Sequence, residues 1–124
     1  MRRRLALVTE QLLGFEAVAL AEAAQGRPVA VVRDDIGLDE ARLLARLVAE
    51  RGVTAIVGVA GAKAQIVMTR PGTAAAPDCG RVLREVLAQF GGKGGGQAQG
   101  AQGGVPDPSR LAEVVAALLA EAAG

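Results

Sequence analysis

The stretch VAVVRDDIGLDEARLLARLVAERGVTAIVGV, Val29 to Val59, holds the reading on which the fold turns. Val29-Ala30-Val31-Val32 is a short unbroken apolar run, the pattern of a strand covered on both faces. Arg33-Asp34-Asp35-Ile36-Gly37 is a polar connection. Leu38 to Arg51 reads as a helix, with Asp39 and Glu40 in its first turn and Arg46 and Arg51 toward its end, as the helix dipole favours. Its inward stripe is Leu38, Ala41, Leu44, Ala45 and Val48, and Gly52 stops it. Val53 to Val59 is β-branched and reads as a second buried strand. Strand, helix and strand of these lengths imply a parallel pair with a right-handed crossover.

Working outward, Ala60-Gly61-Ala62-Lys63 makes a turn and Ala64 to Thr69 returns as a hairpin partner, so the sheet is mixed. Pro71-Gly72-Thr73 ends that strand. A helix is expected from Pro77 to about Gln89, with Pro77 as first helical residue, Asp78 in the first turn, and Val82, Leu83, Val86 and Leu87 inward. Asp107-Pro108 opens a last helix carrying Leu111, Val114, Val115, Leu118 and Leu119. The expected fold is a three-layer α/β domain. Its mixed, mainly parallel sheet has four to five strands flanked by helices, with an additional N-terminal helix. That helix, within residues 1–25, is set apart from a domain over 26–124.

In the N-terminal helix, Leu5, Val8, Leu12, Phe15 and Ala19 follow the alternating three- and four-residue steps of helices packed side by side. Leu13 and Leu20 lie off that seam, so the helix is apolar on two sides and needs two neighbours. Two readings stand: a homodimer contact or junction to another domain, or a helix lying across its own sheet.

Composition removes much chemistry. The 124 residues carry 14 Lys and Arg against 13 Asp and Glu, so bulk charge gives no attraction for nucleic acid, although a local patch remains open. With 51% apolar residues, a buried core is feasible. There is no His, Trp or Tyr, and Cys79 is the one cysteine. His-dependent triads are excluded, and no metal or other cofactor is expected. A lone Cys forms no internal disulfide, which fits a reducing compartment. Two Phe as the only aromatics leave no ring platform for stacking bases. Arg2-Arg3-Arg4 before Leu5 to Val8 opens like a secretion signal, but Glu10 and Glu16 interrupt the apolar run. Val53 to Ala62 is far short of the roughly 18–20 residues needed to span a bilayer. The chain reads as soluble and cytoplasmic, with no membrane partner.

Residues 91–104 are the most unusual segment, and Gly91 to Val105 contains eight glycines. Gly91, Gly92, Gly94, Gly95 and Gly96 surround Lys93. Glycine in regular structure costs roughly 0.5–1 kcal/mol relative to Ala, so such a run marks a backbone that takes positive φ or approaches something closely. Bare N–H groups around an ammonium form an anion site in one reading. In the other, the segment is a flexible linker to the last helix. It fits neither a Walker loop, since Lys93 precedes Gly94, nor a dinucleotide fingerprint, since it follows a helix. Ala98 to Gly104 is a candidate further strand.

Gly91-Gly92-Lys93-Gly94-Gly95-Gly96, followed by Ala101-Gln102-Gly103-Gly104, resembles the glycine-rich signature of the DHHA1 domain family. The nearest form is that at the C-terminus of alanyl-tRNA synthetase and in alanyl-tRNA editing proteins. The lead-in Asp78-Cys79-Gly80-Arg81-Val82-Leu83 is similar too. Gln97 stands where the family usually has Arg, and Gln99 near a usual Asp. The resemblance implies an accessory tRNA-binding module whose catalytic partner domain lies elsewhere, gripping phosphate and ribose through a Gly-rich loop over 91–104. Lys93 is the central charge, with Arg81, Arg84, Lys63 and Arg110 as flanking candidates. Gln97, Gln99 and Gln102 are donors to phosphate or 2′-hydroxyl groups, and Gln102 alternatively stitches the loop to the core. The alternatives are the substrate-binding domain of a DHH-type phosphoesterase, or a structural or dimerisation module. No catalytic residue is assigned; Cys79 at a helix start is the one nucleophile to weigh, against the commonness of buried structural cysteine.

Overall fold

A computed structural model describes residues 2–74 and 77–123, with the side chains of residues 2–9 left out of the description. The elements run α1 (Arg2–Ala24), β1 (Val29–Arg33), α2 (Leu38–Glu50), β2 (Ala55–Val59), β3 (Ala64–Thr69), α3 (Cys79–Gln89), β4 (Lys93–Gly96), β5 (Gly100–Val105), a single 3-10 turn (Pro108–Arg110) and α4 (Leu111–Ala123). The five strands lie in the order β1-β2-β3-β5-β4.

The expected crossover is present: β1 and β2 pair in parallel, Val31 opposite Val57. The mixed α/β class stands, but the balance of pairings is reversed. β2–β3, β3–β5 and β4–β5 are all antiparallel, so the sheet is mostly antiparallel with one parallel pair. The cause is the glycine segment, which supplies a hairpin of two strands where one was foreseen.

Two cores sit on opposite faces of the sheet. Ala55, Val57, Val59 and Val67 meet Ala41, Leu44, Ala45 and Val48 of α2 on one face. Ile56, Ile66 and Met68 meet Leu83 and Leu87 of α3 and Val114 and Leu118 of α4 on the other. The alternation along β2 and β3 divides the two sets, as the period of a strand requires. β1 is an edge strand, half buried rather than covered on both faces, and leaves Val32 exposed. Asp78 caps α3, its carboxylate accepting from the Arg81 N–H at 3.2 Å, so Pro77 lies before the helix rather than inside it. Asp107 does the same for the last helical segment through the Ser109 N–H at 3.0 Å.

α1 packs on α2 rather than across the sheet. Leu13 and Ala17 are buried there, with Leu20, Ala21 and Ala24 partly so. These are the off-seam positions. Of the seam, Leu12, Phe15 and Ala19 face solvent, while the Leu5 and Val8 side chains lie outside the described set. An ion cluster pins α1 to the end of β1: Arg33 donates to both Asp35 oxygens at 2.7 Å and to the Glu16 carboxylate.

Candidate nucleic-acid interface

The glycine segment is neither a loop nor a linker. It is the β4–β5 hairpin, and its glycines answer to α3, which lies directly on it. A Cβ at Gly94 would sit 2.5 Å from Leu87 Cδ1, and one at Gly80 would sit 2.6 Å from the Gly96 carbonyl oxygen. Helix and hairpin approach too closely for side chains between them. Gly91 has a separate duty. It takes φ +75° just past the end of α3, and the Gly92 and Gly91 N–H groups close that end on the carbonyls of Leu87 (2.8 Å) and Ala88 (3.3 Å).

The tip of the hairpin is tied down. The carbonyls of Gln97, Ala98 and Gln99 accept from the N–H groups of Gly80 (3.1 Å), Cys79 (2.9 Å) and Arg70 (3.0 Å). The start of α3 is therefore satisfied by the hairpin and by Asp78. Those N–H groups are thereby closed to an external anion.

Two of the candidate side chains, those of Lys93 and Gln102, are on the face that α3 does not cover. Lys93 is opposite Gly104, which is opposite Gln65; Gly95 is opposite Gln102, which is opposite Val67. These residues share the α2 side of the sheet. α2 covers β2 and reaches β3 but packs on neither β5 nor β4 to the same extent, so most of the hairpin is uncovered there. A depression of about 310 Å³ opens over it, lined by Arg42, Val67, Thr69, Gly95, Gln97 and Gln102 among others. A second one adjoins it, walled by Leu38, Gln65 and Lys93. Among the described residues lining the two, Arg42 and Lys93 are the cations and no carboxylate is present. Asp39 stands at the rim, 3.6 Å from Arg42.

Arg42 escaped the sequence reading. Its Nε donates to Gln102 Oε1 at 2.5 Å, joining α2 to the hairpin across sixty residues of chain. Gln102 thus stitches the hairpin to α2 through its amide oxygen, which leaves its NH2 group as a donor. No local motif marks Arg42, because the contact that places it is made by folding.

The remaining candidates separate. Arg84 lies at the β4 edge, its Nε 3.8 Å from where a Gly95 Cβ would stand. Arg81 is exposed on the first turn of α3, on the opposite layer from Lys93. Arg110 is engaged elsewhere, 4.6 Å over the Phe90 ring and paired with Glu113 at 3.0 Å. Lys63 shares the Lys93 end of the sheet, both lining a hollow with Gly92, Gly104 and Pro106. Gln99 and Gln97 sit at the exposed hairpin tip. Cys79 is fully buried, and burial pushes its thiol up from the ordinary value, the reverse of what a nucleophile needs. No helix among the described residues is long and apolar enough to cross a membrane.

Residues 26–124 match the DHHA1 domain. The chain is 31% identical over 111 residues to an alanine–tRNA ligase of Methanoregula boonei, covering 89% of this chain and 12% of that protein. It therefore spans about an eighth of that relative. Among solved structures, the C-Ala domain from Aquifex aeolicus alanyl-tRNA synthetase superposes with a TM-score of 0.67 at 27% identity, over 77% of this chain and 89% of that domain.

Proposed function

Because the chain belongs to the DHHA1 domain family, we propose that it is an accessory tRNA-binding module of an alanyl-tRNA synthetase or alanyl-tRNA editing protein, working with a catalytic unit it does not itself contain. The observation that carries this reading is the bare face of the hairpin. There, Lys93 and Arg42 flank a carboxylate-free floor of glycines, Gln102 and Thr69. Two cations over one sheet face suit the phosphates of a backbone. The Gln102 amide and the Thr69 hydroxyl suit ribose hydroxyls. The two Phe are elsewhere, one on α1 and one at the end of α3, so the face reads backbone shape rather than base identity. The glycines, in this reading, bring α3 close beneath the hairpin and keep the opposite surface flat enough for a nucleic-acid backbone to lie on it.

Fluorescence anisotropy with an alanine tRNA transcript, titrated over a range of salt concentrations, tests the reading. Affinity should fall steeply with salt, and Lys93→Ala and Arg42→Ala should each reduce the log–log slope by about one. Arg27→Ala, in the exposed turn before β1, should leave it unchanged. Absence of tRNA binding at low salt, or slopes unaltered by both substitutions, would overturn the assignment.

A further inference from the structure

Three depressions over the hairpin join end to end. Gln102 is common to the first two. Gln65, Lys93 and Gly103 are common to the second and to the hollow of about 640 Å³ that Lys63 walls. Together they make one trough along β5. We propose, resting on the tRNA-binding reading above, that this trough takes one strand of a base-paired RNA stem, with Lys63 as a third phosphate contact beyond Lys93 and Arg42.

The spacing of the cations sets the length of backbone engaged. Arg42 is held at Gln102, which is opposite Val67, and Lys93 is in the row of Gly104 and Gln65. Lys63 comes two residues before Gln65, exposed in the turn that leads into β3. Residues 63, 65 and 67 are alternate positions of one chain, so the rows step by about 7 Å. That is close to the step between neighbouring phosphates of one RNA strand, and the flexible lysine stems make up the difference. Between the cations the floor is low, because Gly95, Gly100 and Gly104 bring no side chain to this face. Charge is graded along the trough. Arg42 shares its charge with Asp39 at the rim, whereas Lys63 and Lys93 are in no ion pair among the described residues. No carboxylate lines the hollow between the two lysines.

The bases decide which RNA. Neither Phe lines the trough, so unpaired bases find no ring to stack on. A strand whose bases are turned away into their own helix loses nothing by this. It presents phosphates to the cations and 2′-hydroxyls to Gln65 and Gln102.

Anisotropy titrations of the whole chain with labelled alanine tRNA, and with a labelled blunt-ended RNA stem, test this. Lys63→Ala should lower the log–log salt slope by about one and the affinity at moderate salt by about three- to tenfold. Combined with Lys93→Ala it should lower the slope by about two. Lys63→Arg should keep the wild-type slope. Far-UV circular dichroism of Lys63→Ala should be unchanged, because the side chain replaced is in solvent. In competition against labelled tRNA, the unlabelled stem should act at a concentration about tenfold or more below that of oligouridine with the same number of nucleotides. A wild-type slope for Lys63→Ala, while Lys93→Ala and Arg42→Ala lower theirs, would overturn the third contact and leave the tRNA reading standing. Oligouridine competing as well as the stem would overturn the paired strand. Absence of binding to tRNA and stem alike would overturn the inference together with the reading beneath it.

Discussion

A methyl group is too much at Gly94. The would-be Cβ meets Leu87 Cδ1 at 2.5 Å and the Gly103 Cα at 2.9 Å, and neither backbone nor packed leucine has room to yield. Gly94→Ala should therefore destabilise the fold by about 1–3 kcal/mol through overpacking, read as a lower urea midpoint. Gly72→Ala, with open space around its would-be Cβ, should change stability by less than about 0.5 kcal/mol. Close approach, one of the two reasons the composition offered for such a run, explains Gly94 and Gly80; positive φ, the other, explains Gly91. Cys79 makes the opposite case at the same scale. Sealed in the core with its thiol pushed up by burial, it should react with a thiol reagent only as the protein unfolds. Rapid labelling of the native chain would contradict its placement.

At the scale of elements, most helices and strands announced themselves. The inward stripes of α2 and α3 are the expected ones, and β3 begins and ends where the turn residues put it. β4 did not, because Lys-Gly-Gly-Gly has no branched or aromatic side chain to signal a strand. Its pairing comes from β5 beside it and α3 above it. α1 was readable as two-faced, but which face turned inward was open, since either stripe supplies apolar area. The Arg33 cluster helps hold the chosen face. The Arg33 guanidinium holds the Asp35 carboxyl below its ordinary value, so the contribution of that pair is present above about pH 4 and is lost as pH falls through the lowered value. Amide protection factors in α1, taken relative to the intrinsic exchange rate at each pH, should fall on acidification as Asp35 ceases to orient Arg33, and Arg33→Ala should show the lower protection already at neutral pH. Equal protection in both proteins at neutral pH would show that the cluster does not hold the helix.

Over the whole molecule, net charge is +1, so attraction for a polyanion must come from where charges are put. Folding brings Arg42 and Lys93, fifty-one positions apart, to two adjoining depressions on one face of the sheet, whose described lining holds no carboxylate. Combining Lys93→Ala with Arg42→Ala should reduce the salt slope of tRNA binding by about two while leaving the thermal midpoint within a few degrees of wild type, because both side chains are largely in solvent. A large drop in stability would mean that the Arg42–Gln102 contact is chiefly structural.

What could be known from residues alone here was what nearest neighbours along the chain decide. Apolar period, caps and breakers place the helices, the crossover from Val29 to Val59, and the family-like glycine signature. Hydrophobic patterning acts within a window of a few turns, which is why it succeeded on those elements. Folding settled the rest: the largely antiparallel sheet, the hairpin made by 93–105, the inward face of α1, and the meeting of Arg42 with Gln102. Each of these depends on partners tens of residues away. Glycine carries no side chain from which such a partner could be inferred, and so the segment most telling of family was the least telling of its own shape.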